Sequence, residues 1–405
     1  MDEINKYPKR VLIIVENNTV PFDRRVWYEA TSLRDEGWMV TVICPEDGET
    51  PATSLADHIE GITVYRFPLE FAKGGTKKFL REYLTAFISI ERLTRKIWQE
   101  SPFDIIHICN PPDIFFPIGI FYRLCGARFI FDHHDLFPEN VAWRFRNFGG
   151  RLLYLMSRVC EFLTYQSAYL VIATNESYKQ IGHSRNHVRE NKIVVVRNGP
   201  KEKEFIPIDV LPDLKRGFLY IACFVGLMGN EDGIDELTEI IRYTVLELGR
   251  KNILFTLIGD GPRKKPAEER LQELGLEQYV DMPGLIRNDY LLRQYMSSAD
   301  MFLSPEPWTP MNDRSTFIKI GEYMIMGKPI IAFDLKETRH TAQDAAIYVS
   351  PGDIPGFCRA LISLIDDPDR RKSMGEFGYK RVVNELCWER QKQFLFQAYD
   401  LALRK

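Results

Sequence analysis

At 405 residues the chain exceeds what one ordinary core holds, so two domains of about 200 residues each are expected. With 45% hydrophobic residues, 27% charged residues and a net charge of -3, it reads as soluble and globular. It lacks the overall basicity of a nucleic-acid binder. Seven dispersed cysteines (44, 109, 125, 160, 223, 358 and 387), without close pairs or metal-ligand spacing, argue against a disulfide scaffold and read as reduced cytosolic thiols.

No apolar segment precedes the first strand and no run of 18 apolar residues occurs, so neither a signal peptide nor a transmembrane helix is expected. The run from Arg10 to Val15 is continuous and apolar, as in a buried parallel strand. A loop from Glu16 to Asp23 leads to a helix with apolar spacing at Val26, Ala30 and Leu33, ended by Gly37. Strands follow at 39–44 and 63–67, a helix at about 76–99, a strand at 105–108, a helix near 115–125 and a strand at 128–132. A long helix near 150–168 precedes strands at 169–173 and 192–196. A polar, proline-containing stretch then resets the pattern. Strands at 219–225, 253–258, 280–282, 301–303, 330–333 and 346–349 alternate with helices near 234–249, 265–274 and 289–297 and one holding Glu322. This alternation predicts an α/β protein with two Rossmann-like doubly wound domains in tandem, facing across a cleft, with ligands at strand C-termini.

The loop after the first strand lacks G-x-G-x-x-G, which counts against a dehydrogenase. Arg24 and Arg25 at its end could hold an acceptor or neutralise a diphosphate; equally, they could pair with Asp23 or Glu29 at a solvated helix start. Asp132-His133-His134-Asp135 ends a strand, where His134 could orient a sugar hydroxyl and His133 could stand on the acceptor side. Neighbours on an extended strand end point to opposite sides, and no second His/Asp cluster is obvious, so a metal site is not expected. Trp143-Arg144-Phe145-Arg146-Asn147-Phe148 runs into the apolar 151–164 segment with Arg151 and Arg158. It suits either a surface resting on a bilayer or a core-facing helix with a basic rim.

In the second half, Gly226, Gly229 and Gly233 follow the first strand and would let the backbone approach a phosphate, or are simply turn glycines. Gly261 and Ile286 end neighbouring strands and could offer main-chain groups to a nucleobase, or form unremarkable turns. The most informative stretch runs from Ser304-Pro305-Glu306 through Asp313, Arg314, Ser315 and Thr316 to Lys319, Glu322 and Gly327-Lys328-Pro329. A helix start beside hydroxyls is a ready anion seat, and Lys319 and Glu322 project from one helical face. A carboxylate for ribose hydroxyls beside a cation suits a nucleotide sugar. The D-x-D at Asp367-Pro368-Asp369 lies in a polar turn away from the strand ends, so no metal-dependent diphosphate site is read there.

Taken in order, several motifs match a known family: Phe22-Asp23-Arg24-Arg25-Val26, His134-Asp135, Arg197-Asn198-Gly199, Phe224-Val225-Gly226, Gly259-Asp260-Gly261-Pro262, Ala299-Asp300 and Glu322-Tyr323-Met324…Gly327-Lys328-Pro329. With them the chain resembles, over essentially its full length, the retaining glycosyltransferase family 4 enzymes of GT-B fold, and in flavour those of bacterial surface-polysaccharide and O-antigen assembly. The resemblance implies that Glu322 is the second glutamate of the E-x7-E motif and binds the ribose. It also places His134 near the donor sugar and returns a C-terminal helix, from Trp388, to the first domain. The implied domains are 1–199 with 386–405 returning, a linker at 200–212, and 213–385 for the nucleotide sugar.

Three positions depart from the family pattern. The first glutamate falls at Arg314, leaving Asp313 to supply a carboxylate, and the family's arginine and lysine fall at Leu227 and Asp232. Lys319 and Arg314, with the Ser315-Thr316 backbone, are therefore expected to neutralise the leaving diphosphate, so that Lys319→Ala cuts turnover while the fold survives. The catalytic set is thus His134, Lys319 and Glu322, with a nucleotide sugar (UDP-linked) as co-substrate and no other cofactor. The acceptor is a growing glycan or lipid-linked glycan, reached from the cytoplasm with peripheral membrane contact. The rival readings are a nucleotide-sugar epimerase of the same architecture and a non-catalytic binding partner.

Overall fold

Continuous apolar runs build two sheets in the computed structural model, which describes residues 8–46, 56–72, 75–145 and 148–404. The first sheet contains β1 (Arg10–Ile14), β2 (Met39–Pro45), β3 (Ala56–Ile59), β4 (Ile62–Phe67), β5 (Ile105–Cys109), β6 (Arg128–His133), β7 (Leu170–Ala173) and β8 (Ile193–Val195). Its order is β3-β4-β2-β1-β5-β6-β7-β8, parallel throughout except that β3 lies antiparallel to β4. The second contains β9 (Tyr220–Val225), β10 (Ile253–Ile258), β11 (Val280–Gly284), β12 (Met301–Ser304), β13 (Ile330–Phe333) and β14 (Ala346–Val349), in the all-parallel order β11-β10-β9-β12-β13-β14. Strand order reverses direction between β1 and β5 in the first sheet and between β9 and β12 in the second. At such a point the loops leaving adjacent strands diverge and open a crevice beyond the strand ends.

The helices follow from apolar spacing and local caps. Asp23 accepts the Val26 N–H and starts the helix Arg24–Asp35, and Gly37, at φ +86°, turns the chain out of it. In the helix Thr76–Glu100 the buried positions Phe79, Glu82, Ala86, Ile90, Thr94 and Ile97 recur every three or four residues and form its inner side. Two elements have no such signature in the sequence. β3 is a short edge strand with one aliphatic residue at its end, and the helix Phe137–Arg144 starts at a Phe-Pro step with only a narrow apolar side. The helix expected at 234–249 ends its α-helical part at Arg242 and continues as a π-helical turn, Tyr243–Glu247.

The chain divides into one unit of residues 1–197 with 392–405 and another of residues 198–391. The 200–212 stretch is therefore part of the second unit rather than a separate linker: Phe205 is buried in that unit's core and the Ile208 N–H donates to Ser297 Oγ at 3.1 Å. Leu386 and Cys387 are buried in the same core, which moves the start of the returning segment from 386 to Lys392. The returning residues complete the first unit, where Tyr399 packs edge-on against Trp38 at 5.2 Å and its hydroxyl meets His107 Nδ1 at 2.7 Å.

Candidate functional site

In the second unit, side chains from four segments converge beyond β9 and β12. Lys319 lies near the start of the helix Ile318–Ile325, and only 9% of it is exposed. Its Nζ is 2.7 Å from Glu306 Oε1, 3.7 Å from Asp232 Oδ1 and 4.4 Å from the centre of the Phe224 ring. The helix is fixed to the strand by Tyr323, which stacks on Phe302 at 4.1 Å, accepts the Val225 N–H at 2.8 Å and donates to the Val225 carbonyl at 3.1 Å. Gly226 follows directly. A Cβ there would stand 2.8 Å from Lys319 Nζ, so the ammonium lies directly against this backbone and a side chain at 226 would make the flexible lysine shift. Glu306 is fully buried and receives the Ser304 hydroxyl on its other oxygen. Burial raises the Asp232 carboxyl above its usual range, with Lys319 opposing the rise.

This arrangement corrects several expectations. Lys319 is compensated by two carboxylates rather than standing as an open ammonium, and Glu306 is the partner that sequence reasoning missed. Glu322, one turn further on, is half-buried. Asp313 does not offer its whole carboxylate to a sugar, because Oδ1 accepts the Lys336 N–H at 3.0 Å and so serves the start of a neighbouring helix. Arg314 donates to the Pro310 carbonyl at 2.8 Å and Ser315 Oγ to the Met311 carbonyl at 2.9 Å. Both turn back on the loop that Asn312 pins through the Glu231 and Pro307 carbonyls. Ser315 and Thr316 precede the helix, whose N-cap is Phe317 and which carries no side-chain cap. The Gly229 N–H donates to Asp232 Oδ2 at 2.9 Å and the Gly261 N–H to Asp260 Oδ1 at 2.8 Å. Ile286 packs partly buried against the second core.

In the first unit the Asp132-His133-His134 stretch closes β6 and splits as alternation requires. His133 points inward and is fully buried, with Nδ1 2.6 Å from the Tyr165 hydroxyl and its ring 4.6 Å from Tyr178. Burial, with Arg185 adding, lowers its pKa to about 3. It is a neutral core residue and not an acceptor-side group. His134 is on the other side, its side chain 11% exposed, with Nε2 2.6 Å from Asp132 Oδ2. The Arg25 Nε–H also donates to this nitrogen at 3.0 Å, so both partners converge on Nε2 and Nδ1 is the ring's other hydrogen-bonding position.

Arg25 is also buried. It grips Asp132 at 2.9 Å, lies 3.1 Å from Glu29 and donates to the Val196 carbonyl at 2.9 Å. Burial works against its charge, but Asp132 and Glu29 outweigh that and hold the guanidinium firmly protonated. Burial also favours protonation of Asp132, yet Arg25 and His134 keep it ionised, while burial and Asp132 push Glu29 upward. Arg25 is thus an internal counter-ion and not an acceptor ligand; Arg24, half-buried at the first helical position, is the member of the pair that reaches the surface. Just past β1, the carboxyl of Glu16 is buried and pushed up to about 8 by burial, with Glu82 adding.

Among the described residues, two groupings have metal-ligand chemistry, His107-Cys109-Asp132 and Glu29-Asp132-His134. Both depend on the Asp132 carboxylate already held by Arg25, so an ion would have to displace a buried guanidinium. In the D-x-D turn, Asp367 accepts the Arg370 N–H at 2.9 Å and so caps the helix Pro368–Arg381. Arg146 and Asn147 of the aromatic–arginine stretch lie outside the described residues.

Comparison with known proteins follows the same division. Residues 23–199 match the glycosyl transferase 4-like domain and residues 220–367 the domain of glycosyl transferases group 1, together most of the chain. The chain is 23% identical over 312 residues to chitobiosyldiphosphodolichol beta-mannosyltransferase of Candida glabrata, covering 71% of this chain and 68% of that protein. Among solved structures it resembles sucrose-phosphate synthase from Thermosynechococcus elongatus, with a TM-score of 0.76 at 18% identity over 97% of this chain and 98% of that one. It also resembles the Anabaena protein HepE in complex with UDP and glucose, with a TM-score of 0.70 at 15% identity over 96% of this chain and 99% of that one. Two parallel-sheet α/β units, these neighbours of GT-B fold and the two domain matches lead to one conclusion: the chain belongs to the glycosyltransferases that join a 4-like domain to a group 1 domain.

Proposed function

We propose that the chain transfers a sugar, with retention and without a metal ion, from a UDP-linked donor to a growing or lipid-linked glycan of a bacterial surface polysaccharide such as an O-antigen. It works in the cytoplasm, at the inner face of the membrane. The observation that carries the reading is the seat of Lys319 beneath Gly226, at the point where β9 and β12 diverge. A leaving diphosphate needs compensation in a site where water is scarce. Here the ammonium lies against the Gly226 backbone, and burial raises the carboxyl of Asp232, the more distant of its two carboxylate partners, above its usual range. Glu322, one turn along the same helix, is suited to the ribose hydroxyls. His134 Nδ1, with Nε2 engaged by Asp132 and Arg25, is suited to a sugar hydroxyl.

The choice of UDP is supported by the Anabaena neighbour, which holds UDP with glucose, and that of a lipid carrier by the Candida relative, named for a chitobiosyl group on diphosphodolichol. Metal independence is supported by the capping role of Asp367 and by Arg25 holding the Asp132 carboxylate that both metal-ligand groupings share. Thermal-shift and calorimetric titration against UDP-, GDP- and dTDP-sugars tests donor binding. A UDP-sugar is expected to raise the melting point equally with and without a chelator, and NMR of the transferred sugar is expected to show the donor's anomeric configuration. No response to any nucleotide sugar, or a response that a chelator abolishes, would overturn the proposal.

A further inference from the structure

The helix Phe148–Ser167 has two opposed apolar sides. One, with Leu153 and Tyr165, faces the first unit's interior. The other carries Leu152, Leu155, Met156, Val159, Phe162 and Leu163 outward, spaced three and four apart, with Leu155 60% exposed. The acid within this stretch, Glu161, turns inward and is fully buried, with Arg158 3.2 Å from it. A soluble helix normally shows water a polar face, so six outward aliphatic and aromatic residues in one stripe ask for an apolar neighbour.

The stripe does not stand alone. Arg123, on the short helix Phe116–Leu124, donates to the Ser167 carbonyl at 2.8 Å and ties that helix alongside. It adds Ile120, Phe121 and Leu124, the last 83% exposed. On its far side the helix Thr76–Glu100 packs Trp98 on Tyr122 at 5.2 Å and stacks Phe87 on Phe115 at 6.1 Å. That helix presents Leu80, Leu84 and Ile88, one turn apart each.

The charges around this surface are largely of one sign. Lys77, Lys78, Arg81, Arg92 and Arg151 are exposed on the same helices; of the acids there Glu82 and Glu161 are buried, Glu91 is engaged by Arg95 at 2.5 Å, and the exposed Glu100, at the far end of its helix, lies 3.9 Å from Lys96. In a chain of net charge -3 this is a local cationic field around an apolar centre. A second copy fits it poorly, since a two-fold interface sets the same basic rim against itself. A bilayer with anionic headgroups fits both parts: acyl chains receive the aliphatic stripe and headgroups receive the lysines and arginines. Among the described residues no helix is long and apolar enough to cross a membrane, so the contact is one of lying on the surface.

We infer that the three helices Thr76–Glu100, Phe116–Leu124 and Phe148–Ser167 form a docking face for an anionic lipid bilayer. The inference is independent of which sugar the enzyme transfers.

Flotation of the full chain with phosphatidylcholine vesicles, with and without phosphatidylglycerol, tests it in the absence of donor and acceptor. Binding is expected only to the anionic vesicles and should weaken as salt rises. The double variant Leu155→Glu/Val159→Glu should lower the bound fraction by about tenfold or more. Amide exchange on the unaltered protein serves as a second readout that requires no variant to fold, and vesicles should slow exchange in the three helices above other surface helices. Absence of flotation, equal flotation of native and variant chains, protection elsewhere, or a native dimer that the variant splits without any vesicle binding would each overturn the docking face.

Discussion

At the scale of single residues, the two units handle buried charge by the same device, a cation shared between carboxylates. Lys319 serves Glu306 and Asp232; Arg25 serves Asp132 and Glu29. Removing one member of a buried pair strands the other, at a cost of about 3–5 kcal/mol. Lys319→Met is therefore expected to lower both UDP-sugar turnover and the thermal midpoint, revising the sequence-based view that only turnover would suffer. Adding Glu306→Gln should restore much of the midpoint but not the turnover. Calorimetry and a transfer assay on both variants check this, and a single variant as stable as the native chain contradicts it.

Glu16 gives a pH prediction with a definite sign. Its carboxyl titrates near 8 in the folded chain against an ordinary value near 4.5. Below 4.5 both folded and unfolded forms hold the proton and nothing is lost; between 4.5 and 8 the unfolded chain releases it first. Stability from this group thus declines by up to about 1.4 kcal/mol per pH unit across that window and levels off above it. Glu16→Gln should flatten the decline, as measured by denaturation midpoints at a series of pH values, and parallel profiles for the two proteins would refute the assignment.

Among elements, the loops after β9 and β10 are held against each other more tightly than their sequences suggest. Gly259 sits at φ +145°, and a Cβ on it would strike the Gly226 carbonyl oxygen. Gly259→Ala is expected to cost about 1–3 kcal/mol through strain and to displace the loop over Lys319, so donor affinity should fall together with the melting point. Unchanged affinity in the variant would show the two loops to be uncoupled.

Strands of this kind are legible in a sequence because parallel sheets buried on both faces demand unbroken apolar runs, as at Ile253–Ile258. The 25-residue helix Thr76–Glu100 is legible through its periodicity. β3 was not legible, since in the edge strand Ala56–Ile59 no side chain is fully buried and no apolar run or alternation marks it. Site geometry divides in the same way. The proximity of Lys319 to the Gly226 loop could be inferred from the fold, because both follow strands on either side of the order reversal. The pairing of Lys319 with Glu306 could not, since the two stand 13 positions apart across an irregular proline-containing loop whose path no periodicity describes. His107 looked like one more residue of an apolar strand; its partner Tyr399 is 292 positions away.

For the whole molecule, the returning segment is the feature with most reach. Tyr399 satisfies buried His107 and packs on Trp38, both in the first unit. Tyr399→Phe should cost about 1–3 kcal/mol by orphaning the imidazole nitrogen. Removing residues from Lys392 onward should cost far more, and proteolysis should then cut the first unit before the second. Equal protease resistance of both units after that truncation would contradict this account.

The order of synthesis adds a consequence. Residues 198–391 leave the ribosome before 392–405 do, so the unit translated first is the last to be finished. While the later unit is being made, the earlier one waits with a helix-sized gap beside Trp38 and His107. A nascent chain stalled late in translation should therefore present its amino-terminal half, rather than its newest segment, to the chaperones that guard exposed apolar surface.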